Sequence, residues 1–142
     1  MVGPERSAEI DREVAKIDAV DFAEKEIREL IASLDASLRG APSPKESEIL
    51  AKRIDEMRLK LGEIAARSEL SAGVALDFLK SHEALIAFQK DELVKKRTRL
   101  QYGLTAPDSS AIEAYDEQIK LMSSRQEIIN RNIEILSGEA FK

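Results

Sequence analysis

The chain has 142 residues, 43% of them hydrophobic and 35% charged, enough for one domain with a real core and far from the composition of a disordered acidic chain or a membrane protein. Its formal net charge of −5 argues against nucleic acid as the main ligand, because phosphate contacts need concentrated Lys and Arg. Cysteine is absent, which removes disulfides, thiolate nucleophiles and thiolate metal sites together.

Aromatic residues make up 4% of the chain and Trp is missing, so the core must be aliphatic. High Ala, Leu, Glu, Lys and Arg with six Gly and four Pro is a helix-forming mixture. β-branched and aromatic residues gather into no alternating run, and no strand is predicted. The opening residues, Met1-Val2-Gly3-Pro4-Glu5-Arg6, lack the apolar stretch of a signal peptide. No uncharged run approaches the roughly 20 residues of a membrane span. The expectation is a cytoplasmic protein with no integral membrane segment.

The first helix is predicted over about 5–39, with Ile10, Val14, Ile17, Val20, Ile27, Ile31, Leu34 and Leu38 on one face. Gly40-Ala41-Pro42-Ser43-Pro44 ends it and starts the next, the usual asymmetry of Gly after a helix and Pro inside the following one. Ser43-Pro44-Lys45-Glu46 reads as a capping box. From there a single apolar stripe runs through Leu50, Ile54, Met57, Leu61 and Ile64, stutters between Ser68 and Ala75, and resumes through Leu79, His82, Ile86 and Leu93.

Two readings of that middle stretch compete. Unbroken, it is one helix of about 59 residues and roughly 90 Å; broken at 68–73, it gives helices at about 44–69 and 72–102 with a possible hinge. Gly73 alone does not decide, since Gly inside a helix costs only about 1 kcal/mol. The break is favoured because a closed bundle buries more of the stripe. The last helix is predicted over about 110–137, after a second punctuation at Gly103-Leu104-Thr105-Ala106-Pro107 and a capping box at Ser110-Ala111-Ile112-Glu113, with Gly138 closing it. Its seam of Ile112, Tyr115, Ile119, Met122, Gln126, Ile129, Ile133 and Leu136 carries one polar residue, Gln126. The predicted fold is all-α: a single domain over 1–142, an up-and-down bundle or antiparallel coiled coil of three to four long helices.

Catalytic parts are scarce. His82 is the only histidine, with neither a Glu three residues before it nor a second His four residues after it, so no metal and no other cofactor is expected. Phe78-Leu79-Lys80-Ser81-His82-Glu83 resembles the phosphorylated-histidine box of sensor-kinase dimerisation helices, which implies a possible phosphoacceptor at His82. The pattern departs immediately after, where Ala84-Leu85-Ile86-Ala87 stands in place of Leu-Arg-Thr-Pro. His82 also lies on the apolar stripe, as an ordinary seam histidine would. Acid groups such as Glu24, Glu26 and Glu29 read as solvated faces with i,i+4 partners, Glu24 with Arg28 for example. Glycine-rich phosphate loops and nucleophile elbows are missing. The basic run Lys95-Lys96-Arg97-Thr98-Arg99 suits a helix C-terminus, where cations complement the helix dipole. Nothing points to an enzyme.

The feature with most functional content is a second apolar line on the last helix. Ala114, Leu121, Ile128 and Ile135 recur every seven residues, away from the main seam. Phe22, Leu59, Phe88 and Val94 also fall off their helices' stripes, and Phe141 follows the last helix. Large aliphatics left in water forgo about 1.5–3 kcal/mol each, so this line is expected to meet another helix, a second copy or a partner. Leu121, Ile128, Ile135, Phe22 and Phe88 are the expected partner-binding residues. The sequence therefore predicts a helical adaptor, scaffold or chaperone that binds a protein partner or itself. A phosphotransfer module at His82 and an amphipathic coat on a lipid or polymer surface are the alternatives.

Overall fold

A computed structural model describes residues 4–41, 43–103 and 108–138. Its four helices are α1 (Pro4–Arg39), α2 (Pro44–Ala65), α3 (Ser71–Tyr102) and α4 (Ser109–Ser137), with no strand among the described residues. This is the all-α helical bundle that the apolar periodicity predicts. Pro42, residues 104–107 and Phe141, all used in reading the sequence, lie outside the described residues.

The ends of the helices follow from local chemistry. Ser43 caps α2 with extended backbone (φ −143°, ψ 153°), and its hydroxyl accepts from the Glu46 N–H at 3.2 Å. Gly138 closes α4 at φ +82°, its N–H donating to the Ile135 carbonyl at 3.2 Å. At the start of α4 the cap lies two residues before the predicted capping box. Asp108, and not Ser110, is the cap: its carboxylate accepts from the Ser110 and Ala111 N–H groups at 3.0 and 3.3 Å. An ionised carboxylate also complements the positive end of the helix dipole, which favours it over a hydroxyl at the same place.

The long central stripe breaks between Ala65 and Ser71. The break is built without glycine or proline. Arg67 adopts φ +52°, the left-handed conformation that normally favours Gly. The Ala66 N–H donates to the Gly62 carbonyl at 3.1 Å and the Arg67 N–H to the Ile64 carbonyl at 3.2 Å, closing α2. Ser68 then opens α3, its hydroxyl accepting from the Leu70 N–H at 3.3 Å and its carbonyl from the Ser71 N–H at 3.1 Å. Gly73 is left inside α3 and terminates nothing.

The chain divides into two compact units: the residues up to Phe78 together with those from Asn132 onward, and Leu79–Arg131. In the first unit α1 packs on α2. Ala19, Val20, Ala23, Ile27 and Leu34 of α1 are buried, as are Ile54, Met57 and Ile64 of α2 and Ala75 and Phe78 at the start of α3. The spacing is that of one apolar stripe per helix. Arg67 fixes the antiparallel register: its guanidinium reaches Asp21 at 2.5 Å and Glu24 at 2.8 Å, while Arg58 approaches Asp35 at 4.0 Å further along.

That register explains why the head of α1 departs from expectation. α1 has 36 residues and α2 has 22, so about 21 Å of α1 has no length of α2 beside it at 1.5 Å per residue. The pairing of Arg67 with Asp21 places the overhang at the N-terminal end. Ile10, Val14 and Ile17, predicted on the buried face, are accordingly exposed.

The second unit is the pairing of α3 with α4. Leu79, His82 and Ile86 of α3 and Ile129 of α4 are buried. The rest of the α4 seam, with Ile112, Tyr115, Ile119, Met122 and Gln126, is half-buried. Two helices alone cover each other's seam only on one side, so partial burial is what this geometry allows.

Candidate interaction surface

Polar links between α3 and α4 set the side of α4 that faces inward. Glu83, Lys90 and Arg97 lie seven residues apart on α3 and form a rail beside the apolar seam. The Gln126 amide donates to the Glu83 carboxylate at 2.9 Å and accepts from the Lys90 ammonium at 3.4 Å. Arg97 pairs with Asp116 and donates to the Gln101 side chain at 2.7 Å. As the α3 partner advances from Glu83 to Arg97, the α4 partner retreats from Gln126 to Asp116, so the helices run antiparallel. A polar residue in a heptad seam restricts the registers the apolar contacts alone would allow. Gln126 was visible in the sequence as the polar interruption of the seam; the Glu83, Lys90, Arg97 rail was missed, although its seven-residue spacing was there to be found.

With the inner side fixed, the outer line is exposed. Leu121 is 71% exposed and Ile128 is 52% exposed. Ala114 lies on the same line and is also exposed. Ile135, one heptad further, falls in the other unit and is half-buried. The remaining predicted contact residues separate as well: Phe88 on α3 is 63% exposed, whereas Phe22 on α1 is half-buried. Leu59 of α2 and Val94 of α3 are exposed. The structure thus leaves Leu121, Ile128 and Phe88 in solvent and withdraws part of Phe22 and Ile135 from it.

The charged candidates resolve differently. His82 is buried, with 5% of its surface accessible. Glu24, expected on a solvated face, is held by Arg28 at 2.7 Å and by Arg67 at 2.8 Å. Glu26 is buried, contrary to the solvated face read from the sequence; it follows Ala23 by one helical turn and precedes Ile27 in α1, both of them fully buried. Much of the basic run is engaged within the chain: Lys95 reaches Asp91 at 3.2 Å and Glu92 at 3.7 Å, and Arg97 is taken by Asp116. The hydrogen bond and charge of Asp91, then the charge of Glu92, hold the Lys95 ammonium above its ordinary range. No group of three or more His, Asp or Glu side chains among the described residues is arranged to hold a metal ion. No described helix is long and apolar enough to cross a membrane. An open hollow of about 470 Å³ in the first unit is lined by Ile17, Val20 and Ala72 together with Lys16, Arg67 and Ser68; it adjoins the exposed head of α1.

Comparison of the chain with protein-family models, curated proteins and solved structures finds no match. The six-residue resemblance around His82 therefore has no family match behind it. The class that the fold defines is an all-α helical bundle.

Proposed function

We propose that this chain is a non-enzymatic helical interaction module, an adaptor, scaffold or chaperone of the cytoplasm, that docks a protein through apolar faces of its helices. The observation that carries the reading is the outer line of α4, where Leu121 and Ile128 stand exposed one heptad apart on the side turned away from the α3 seam. Aliphatic side chains at helical spacing suit a helix or groove as partner, since i, i+3, i+4 and i+7 anchors are how helices dock. Phe88 on α3 adds an aromatic of the kind that dominates interface energetics.

A phosphotransfer role would need the imidazole of His82 within reach of a partner's active site, and its burial works against that. A coat on lipid would favour aromatics and a Lys- and Arg-rich polar face, whereas aromatics are 4% of the chain and its net charge is −5. The test is affinity capture from the native host with the wild-type chain and with Leu121→Glu. A protein retained by the wild type and lost by the variant is the expected result. Identical sets of captured proteins would overturn the reading.

A further inference from the structure

Within seven residues of Ser124, four charged residues flank the outer line of α4 on one side: Glu117, Lys120, Glu127 and Arg131, with Ser124 at their centre. All five residues are exposed. None of the four charges forms an ion pair among the described residues, while Asp116 and Gln126 on the inner side are taken by α3. Arg125, toward the opposite flank, already has an interaction within the chain. From N- to C-terminus the flank reads acid, base, Ser124, acid, base. Reversed, it reads base, acid, Ser124, base, acid. The pattern is therefore its own electrostatic complement when two copies are laid antiparallel about Ser124.

The apolar line obeys the same symmetry. A two-fold axis at Ser124 brings Leu121 within one residue of being level with Ile128 of the second copy, and Ile128 likewise with its Leu121. Glu117 then faces Arg131, and Lys120 falls beside Glu127. Ser124, small and central, meets itself and lets the helices approach closely. A parallel pairing keeps the aliphatic contacts but sets Glu117 against Glu117 and Arg131 against Arg131, which like-charge repulsion disfavours. Isologous contact of one surface with itself is the commonest way soluble chains associate.

We infer that the occupant of the α4 outer face is a second copy of this chain, paired antiparallel about Ser124 through Leu121 and Ile128. The inference rests on the functional reading above and names the partner for that same face.

The full-length chain is tested by sedimentation velocity over a range of concentrations, expected to give a species of twice the 15.8 kDa chain mass. Lys120→Glu places like charges beside Glu127 twice per dimer and is expected to raise the dissociation constant roughly tenfold. Adding Glu127→Lys restores complementarity and is expected to return the constant to about the wild-type value. Both positions are exposed, and an unchanged circular dichroism spectrum checks that the fold survives. Because the chain has no cysteine, single cysteines report the geometry directly. Ser124→Cys should give a covalent dimer with a short bismaleimide. Glu117→Cys should not link to itself, but should link to Arg131→Cys when the two variants are mixed.

A monomer at every concentration, or Glu117→Cys linking to itself as readily as Ser124→Cys, overturns the pairing. A monomer whose captured host protein is nevertheless lost on Leu121→Glu overturns the second-copy assignment alone and leaves the docking face standing. Failure of both experiments removes the face as well.

Discussion

The two units bury the same residue type in different company. In the first, Ile27 and Ile64 are fully enclosed amid Ala19, Ala23, Ile54, Met57 and Phe78, and the charged links lie at the margin, where Arg67 grips Asp21 and Glu24. In the second, Leu79 and Ile129 are fully enclosed, but the α4 seam around Ile129 is otherwise half-buried and is tied to α3 by Glu83, Lys90, Gln126, Arg97 and Asp116. The contrast separates two tasks. Apolar area supplies most of the stability, at about 25 cal/mol per Å² buried. Hydrogen-bonded polar groups add little net energy and exclude wrong registers instead. A unit with a small core leans more heavily on the second device.

Truncating the enclosed isoleucines gives the largest test of that contrast. Ile27→Ala and Ile64→Ala should each cost about 2–5 kcal/mol, toward the upper end because close-packed neighbours cannot collapse into the void. Ile129→Ala should stay nearer about 2 kcal/mol, since the α4 seam before it, with Met122 and Gln126, is half-buried and relaxes more easily. Urea unfolding of the three variants measures the difference, and equal losses would erase the distinction between the units.

Arg67 offers the next largest effect. Arg67→Ala removes the grip on Asp21 and Glu24 while keeping a Cβ in left-handed backbone. Arg67→Gly removes the grip and relieves the conformation, a difference of about 1 kcal/mol in favour of Gly. Finding the Ala variant the more stable, by thermal unfolding, would mean that the backbone at this joint is not strained. Gln126→Leu should change stability by less than about 1 kcal/mol, because one polar partner of the rail is lost as apolar burial is gained. Its consequence should be a less uniquely paired α3 and α4, read as broadened amide resonances for residues 109–131. The smallest effect is expected at the surface. Leu121→Ser, measured where the chain is monomeric, should shift unfolding by no more than about 0.5 kcal/mol, in contrast to any interior leucine or isoleucine.

Most of the helical architecture was legible because it depends on short-range signals. The α4 seam came directly from its three-and-four spacing, and the cap at Ser43 from Ser, Pro and Glu in sequence order. The break near residue 68 was legible only as a stutter. Its mechanism was hidden, since Arg is an uncommon residue for left-handed backbone and Gly73, which stands nearby, ends no helix. The cap of α4 was assigned to Ser110 when Asp108 supplies it, a two-residue error of the kind expected where several capping residues stand together.

The candidate surface was legible in outline. Leu121 and Ile128 were picked out by a seven-residue repeat that one groove could not hide, and both are exposed. Phe22 and Phe88 looked alike in the sequence, each an aromatic off its stripe, yet one is half-buried and the other exposed. Periodicity gives the direction of a side chain around its own helix; it does not say whether another helix stands in that direction.

The same boundary divides the whole molecule. Composition and periodicity by themselves determined that the chain is helical, where most of its helices begin and end, and which edge of each helix is apolar, because these depend on neighbours within a few turns. Tertiary structure alone decided that Ile10, Val14 and Ile17 lie beyond the reach of α2, that Glu26 is buried, and that Glu83, Lys90 and Arg97 line up against α4. Those outcomes turn on helix lengths and on the register between segments distant in sequence, and registers are selected by the sum of many long-range contacts that no local window contains.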